Sequence, residues 1–229
     1  MSDTTVSVIV PVRNEAGNLA TTLTMLRHAL LAGDELVVVD GGSTDASVEI
    51  ARELADRVVL SAPGRARQMN AGARQASGDW LWFVHADSQL DGSHRQQLMR
   101  LPADARWGRF DVRLSGRRFL FRVIGAMINV RSRFSGIATG DQGIFVRRDI
   151  FTALEGYPDQ PLMEDIALSR RLKQEQGRPH CLRPVLTTSS RRWESRGAWP
   201  TIWLMWSLRY RYWRGAQPEQ LYRDYYGEH

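Results

Sequence analysis

The stretch Val6-Ser7-Val8-Ile9-Val10-Pro11-Val12, followed by the polar turn Arg13-Asn14-Glu15, decides how the chain begins. A short β-branched run, almost wholly apolar, reads as a strand buried on both faces. Leu19, Leu23, Leu26 and Leu30 then recur at helical spacing, so a helix packs back on that strand. Residues 35–39 form the next strand, ending at Asp40. Gly41-Gly42-Ser43-Thr44-Asp45 turns into a second helix that carries Val48, Ala51 and Leu54. Arg57–Leu60 is a third strand and 65–76 a third helix. Residues 79–84 are a fourth strand, ending at His85-Ala86-Asp87. This alternation implies an α/β fold with a mostly parallel central sheet flanked by helices, Rossmann-like in its N-terminal half. Open sheets of this kind bind ligands beyond the carboxyl ends of their strands. Residues 13–15, 40–45 and 85–87 therefore converge on one cleft.

The second half is less regular. Strands are expected over 110–114, 143–146 and 180–187, and helices over 119–129, 163–176 and 199–213. No linker, repeat or low-complexity tract divides the chain, so 1–229 reads as one domain. Within it the pattern separates 1–90, 91–198 and an aromatic helical tail over 199–229.

Of the 229 residues, 43% are hydrophobic, enough for a substantial core. Lys and Arg outnumber Asp and Glu by 31 to 25, leaving +6, and the only lysine is Lys173. An Arg-rich balance fits anionic partners such as phosphates or acidic lipid headgroups. The charge is scattered and no nucleic-acid-binding module appears, so nucleic acid is not expected as a partner. The single cysteine, Cys181, rules out an intrachain disulfide and a multi-cysteine metal site, and reads as packing. The start, Met1-Ser2-Asp3-Thr4-Thr5, lacks a basic, then apolar leader, and no window reaches the ~18 apolar residues of a membrane span. The expected location is cytoplasmic, with membrane association left open.

Several constellations carry chemistry. Asp40 at a strand tip can accept hydrogen bonds from a base edge or ribose, and Gly42 lets a ligand approach the backbone. Asp45 reads instead as a helix cap. A strand-end carboxylate such as Asp87 can hold a hard divalent cation that a diphosphate helps to bind. Glu164-Asp165 opens a helix; the pair either complements the helix dipole or supplies a general base. Arg65 and Arg67 lie at a helix start, where phosphate is favoured. Gly140-Asp141-Gln142 precedes a strand and either faces an acceptor or forms a plain polar turn.

In order and approximate spacing, these pieces resemble the family-two glycosyltransferases, which have an A-type nucleotide-sugar-binding fold. The residues that carry the resemblance are Val8 to Glu15, Val39 to Asp45, Asn70-Ala71-Gly72, His85-Ala86-Asp87, Gly140-Asp141 and Glu164-Asp165, and they suit a small bacterial subgroup. The resemblance implies that Pro11, Glu15 and Asp40 hold the nucleoside, with Arg13 and Gly42 beside them. It implies that Asp87 ligates a divalent metal (Mn or Mg), and that Asp165 is the base with Glu164 next in line. The implied reaction is inverting transfer of a sugar from a nucleoside-diphosphate donor, a UDP-sugar by default, to an unidentified hydroxyl or lipid-linked acceptor. Many relatives carry two acids at the metal position, whereas His85 stands in the first place here. Arg191 and Arg192 either close over the diphosphate or form a surface pair.

Trp199, Trp203, Trp206, Tyr210 and Trp213 fall on one helical stripe, accompanied by Arg209, Arg211 and Arg214. Such a stripe packs on the domain or on a second subunit, or meets a membrane interface. Two other readings of the chain are opposed by its residues. A nucleotidyltransferase needs a Gly-rich basic loop after the first strand, where Arg13-Asn14-Glu15 stands. A degenerate nucleotide-binding or scaffold protein of the same fold is opposed by the presence of Asp40, Asp87 and Asp165.

Overall fold

Buried β-branched strands pair in register at the centre of the molecule. The structure, a computed structural model, describes residues 4–227, without the side chains of Arg192 and Arg196. The reading of the extreme N-terminus thus falls partly outside the described residues, as does any role of the Arg192 side chain. Val6–Val12 (β1), Glu35–Asp40 (β2), Arg57–Leu60 (β3) and Trp80–Phe83 (β4) run parallel in the order β3-β2-β1-β4. They are linked by Ala16–Ala29 (α1), Ser47–Leu54 (α2) and Arg65–Gln75 (α3). Gly72 in α3 lets that helix sit close on the sheet: an added Cβ would lie 2.6 Å from Ile9 and 2.7 Å from Val39.

The second half continues the same sheet as β4-β6-β5-β7, built from Trp107–Leu114 (β5), Phe145–Arg147 (β6) and His180–Thr188 (β7). Strand β6 is antiparallel to both β4 and β5, whereas β5 and β7 are parallel. Every strand except β6 therefore ends at one edge, and β6 begins there. That brings Gly140-Asp141-Gln142, a single 3-10 turn just before β6, beside the end of β4. The β5–β7 register slips after Phe110, where Arg183 and Pro184 bulge out. Pro184 cannot donate a ladder hydrogen bond, which accounts for the break.

Side chains alternate between two cores. Val6, Val8, Val10 and Val12 pack with Leu19, Leu23 and Leu26 of α1, Ala51 of α2 and Leu98 of Gly92–Met99 (α4). Ile9, Val37 and Val39 face Met69 of α3, Phe151 of Arg148–Ala153 (α6), and Leu168 and Leu172 of Glu164–Gln176 (α7). Phe119–Ser135 (α5) runs past its expected end at 129 and is closed by Gly136 in the left-handed region. Arg191–Arg196 (α8), Ala198–Trp213 (α9) and Pro218–Tyr226 (α10) complete the chain. Cys181 is half-buried on β7, beside the Pro179 carbonyl oxygen, rather than sealed in the core.

Candidate active site

Two loops at the sheet edge are stitched together before any ligand arrives. Asn14, with φ of 55°, accepts a hydrogen bond from the Thr44 amide at 2.8 Å and donates its own amide to Ser43 Oγ at 2.9 Å. Asn tolerates this left-handed backbone because its side chain bonds locally. The Glu15 amide donates to Ser47 Oγ at 2.9 Å. Asp45 does not cap α2 from the N-cap position. It accepts from the Ser47 amide and, across the gap, from the Ala16 amide, each at 3.0 Å. The cap expected there is instead a clasp between the β1–α1 and β2–α2 connections.

Asp40 is buried, and its Oδ2 accepts from the amides of Gly42 at 2.9 Å and Ser43 at 3.0 Å. One oxygen thus shapes the loop, and Gly42, at φ 86°, takes a conformation side chains disfavour. Gln68 of α3 donates to the carbonyl oxygens of Val12 and Val39, each at 2.8 Å, and bridges the ends of β1 and β2. Pro11 is half-buried and Arg13 exposed at the same edge.

The carboxylates gather around α7. Met163, just before this helix, has φ of 65° and is buried, an arrangement that stores strain next to Glu164 and Asp165. Asp165 Oδ2 accepts from the Gly140 amide at 2.8 Å and Oδ1 from the Ile166 amide at 2.7 Å. Burial raises the Asp165 pKa and Asp141 adds to the rise, while those amides and Arg65 oppose it. Glu164 is buried, and that burial together with the neighbouring Asp165 charge pushes its pKa up to about 7. Arg65 is exposed at the start of α3, and the nearby Glu164, Tyr226, Asp165 and Asp87 favour its charge and hold its pKa up. Gly140 is tightly enclosed, since a Cβ there would lie 2.8 Å from His85 Nε2 and 3.8 Å from Asp165 Oδ2. Burial, with help from Arg65, lowers the His85 pKa to about 4, so the ring is neutral near pH 7.

Asp87 is half-buried, and among the described residues its carboxylate has no hydrogen-bond partner. Burial raises the Glu15 pKa, Arg191 counters it and Asp87 adds to it. Arg191 reaches Glu15 at 3.7 Å. No group of three or more metal-binding side chains occurs among the described residues. An uncommitted hard oxygen that already repels a neighbouring acid suits a divalent cation whose shell a diphosphate and water complete. It does not suit a tight metal site in the protein alone.

Two expectations are corrected. Gln142 is fully buried and accepts from Thr139, closing its own turn, so it cannot reach an acceptor. Arg67 turns to Asp159 at 2.8 Å, whereas Arg65 lies near Glu164, Asp165 and Asp87. Asp141 remains at the site, half-buried, with a buried Oδ1 that lacks a partner. The sequence reading missed Arg131 of α5. Its Nε and Nη2 are buried without partners among the described residues, and burial lowers its pKa, which Asp141 and Asp165 only partly offset. An arginine near the end of an aromatic helix gave no local sign of this. Beyond Asp87 and Arg191, a cavity of about 560 Å³ opens towards α1 and α4, lined also by Arg113, Ser115, Thr187 and His94. It does not include Pro11, Asp40, Arg65 or Asp165.

Comparison with known proteins places this geometry. The chain is 36% identical over 91 residues to a PGL/p-HBAD biosynthesis glycosyltransferase of Mycobacterium tuberculosis, covering 37% of this chain and 36% of that protein. It is 32% identical over 161 residues to the undecaprenyl-phosphate 4-deoxy-4-formamido-L-arabinose transferase of Pseudomonas fluorescens, covering 62% of this chain and 46% of the relative. The chain thus spans from about a third to a half of the length of these relatives. Glucosyl-3-phosphoglycerate synthase from M. tuberculosis, solved with Mn2+, UDP and glucosyl-3-phosphoglycerate, superposes with a TM-score of 0.59 at 20% identity, over 81% of this chain and 70% of that one. A mannosyltransferase from Pyrobaculum calidifontis, solved with GDP-Man and Mn2+, gives 0.56 at 22% identity, over 80% of this chain and 56% of that one. At these identities the structural likeness is one of fold, and the fold is the A-type glycosyltransferase fold. The model of glycosyl transferase family 2 matches residues 7–153, more than half of the chain, and the chain belongs to that family.

Proposed function

We propose that this protein is an inverting glycosyltransferase that takes its sugar from a nucleoside-diphosphate donor. The observation that carries the reading is Asp165. Its carboxylate is oriented by two backbone amides, raised in pKa by burial, and set beside Gly140, His85 and Arg65. A base of that kind holds its geometry and gains affinity for a proton as an acceptor hydroxyl becomes acidic.

In the proposed step the acceptor oxygen attacks the anomeric carbon from the side opposite the leaving group. The new carbon–oxygen bond forms as the bond to the diphosphate oxygen breaks. The hydroxyl proton passes to Asp165, and the bonding pair leaves with the nucleoside diphosphate. Arg65 offsets negative charge on the departing phosphate. Pro11, Glu15, Asp40 and the open backbone at Gly42 form the nucleoside side of the cleft, with Arg13 at its rim. Asp87 would hold Mn2+ or Mg2+ together with the diphosphate, and the cation would supply further charge neutralisation there. Asp141 and Arg131 line the side from which the acceptor comes. The UDP-containing and GDP-containing relatives of this fold support a nucleotide-sugar donor, with UDP the first to test.

The test is calorimetric titration of UDP, GDP, TDP and ADP with and without Mn2+, followed by release of the nucleotide from the matching sugar donor with water as acceptor. Asp165→Asn is expected to lower that turnover by about 100-fold or more while leaving the donor dissociation constant within about twofold. Turnover close to that of the unaltered protein would move the base elsewhere. Failure of all four nucleotides to bind would favour a degenerate scaffold of the same fold.

A further inference from the structure

Helix α9 has two apolar faces, and the domain uses one of them. Leu208 is buried, and with Leu204, Met205 and Tyr212 it packs on Leu221 and Tyr225 of α10 and on Met163. Ile202 joins a second cluster with Leu114 of β5 and Phe121 and Ile124 of α5. The opposite stripe of Trp199, Trp203, Trp206, Tyr210 and Trp213 stands between 59% and 72% exposed. These side chains present on the order of 500–800 Å² of aromatic surface, above the few hundred Å² usual for the largest patch of a monomer. Helix α5, which meets α9 through that second cluster, adds Phe119 and Phe134, 75% and 79% exposed, with Met127 and Val130 between them.

Within these two helices the charge has one sign. Neither α5 nor α9 contains an Asp or Glu. Arg117, Arg118, Arg122 and Arg214 are exposed along their ends and edges. Arg133 and Arg211 are already paired, with Asp111 and Asp224. A second copy of the chain would bring arginine against arginine, because a two-fold interface presents the same patch from both sides. An anionic lipid surface answers both features: headgroups take the arginines, and Trp and Tyr sit at the boundary of the acyl region.

We propose that the outer faces of α9 and α5 form a docking surface for an anionic bilayer, with α9 lying in the interface plane. At about 1.5 Å per residue a helix of this length is shorter than the ~30 Å hydrocarbon core. Among the described residues no helix is long and apolar enough to cross a membrane. The inner face of the same helix abuts Met163, which precedes Glu164 and Asp165. Docking would therefore hold the carboxylate cluster close to the lipid surface. The proposal concerns the surface alone and stands apart from the reading of the reaction.

The experiment is flotation of the full chain with vesicles of phosphatidylcholine alone, and with about 30% phosphatidylglycerol added, at low and high salt. Tryptophan quenching by brominated lipid and light scattering of the free protein accompany it. Anionic vesicles are expected to carry the protein up, and high salt to weaken this. Trp203→Ser with Trp206→Ser is expected to lower the partition by at least about tenfold while the circular dichroism spectrum and UDP titration stay unchanged. The proposal is overturned if neither vesicle floats the protein, or if the double variant floats as well as the parent. It is likewise overturned if the parent is a dimer in solution that the double variant dissolves.

Discussion

At the scale of single residues, the strongest physical signal is a proton held where water cannot easily reach it. Glu164 has a pKa near 7, raised first by burial and then by Asp165, with Arg65 of α3 opposing and Tyr157 close enough to feel its charge. In the unfolded chain it titrates near 4.5. Between those values the folded state binds more protons than the unfolded state, so stability falls as pH rises through that window and levels off above about 7. Asp165 acts in the same direction. Glu164→Gln is expected to flatten the fall without abolishing it, removing on the order of 1–3 kcal/mol of the loss between pH 5 and pH 8. Urea unfolding of both proteins at those two pH values checks it; parallel curves would place the Glu164 proton in solvent. Gly140 shows how little room surrounds this pair, since any side chain there meets the His85 ring.

At the scale of elements, one helix is locked to the sheet by a buried ion pair rather than by apolar contact alone. Arg95 of α4 reaches Asp34 through two hydrogen bonds, at 2.7 and 2.8 Å, and the Thr4 carbonyl oxygen at 2.7 Å. Asp34 also accepts from the amides of Val6 and Leu31. Both side chains are buried, so removing one leaves the other charged and unpaired. Asp34→Ala is expected to cost about 3–5 kcal/mol, read as a shift in the urea midpoint. A loss below about 1 kcal/mol would mean that water reaches Arg95. The clasp at Asn14, Asp45 and Ser47 works at the same scale, giving the β1–α1 and β2–α2 loops their shape through hydrogen bonds between two connections.

At the scale of the molecule, the sheet topology gathers the residues proposed for donor binding and transfer at one edge. A donor bound across the ends of β1, β2 and β4 that also reached the carboxylates of α7 would tie both halves together. UDP with Mn2+ at about 100 times its dissociation constant is expected to add about 2.7 kcal/mol to stability, seen as a raised melting temperature. In Asp87→Ala the part of that gain that depends on Mn2+ is expected to disappear. An equal rise with and without the metal in the unaltered protein would remove Asp87 from a metal role. The exposed aromatic stripe of α9 belongs to this scale too, because its meaning depends on which neighbours leave it uncovered.

The local sequence was enough to read the first half. Val6–Val12 and Glu35–Asp40 carry buried β-branched runs, α1 carries spaced leucines, and the polar turns after the strands lie where open sheets bind ligands. The places of Asp165 in the first turn of a helix and of Asp87 just beyond a strand were legible for the same reason, and their roles belong to the proposal. Tertiary structure alone decided the rest. Antiparallel β6 brought Gly140 to Asp165, a contact between residues far apart in the chain. Packing turned Arg67 to Asp159, buried Gln142 and aimed Arg131 at the acidic cluster. Short helices such as α4 and α6 escaped notice because only two or three of their residues face the core. The spacing of the tryptophans on α9 was visible in the chain, but exposure is set by what packs against a face. Periodicity names a face; only the assembled fold determines whether that face is covered.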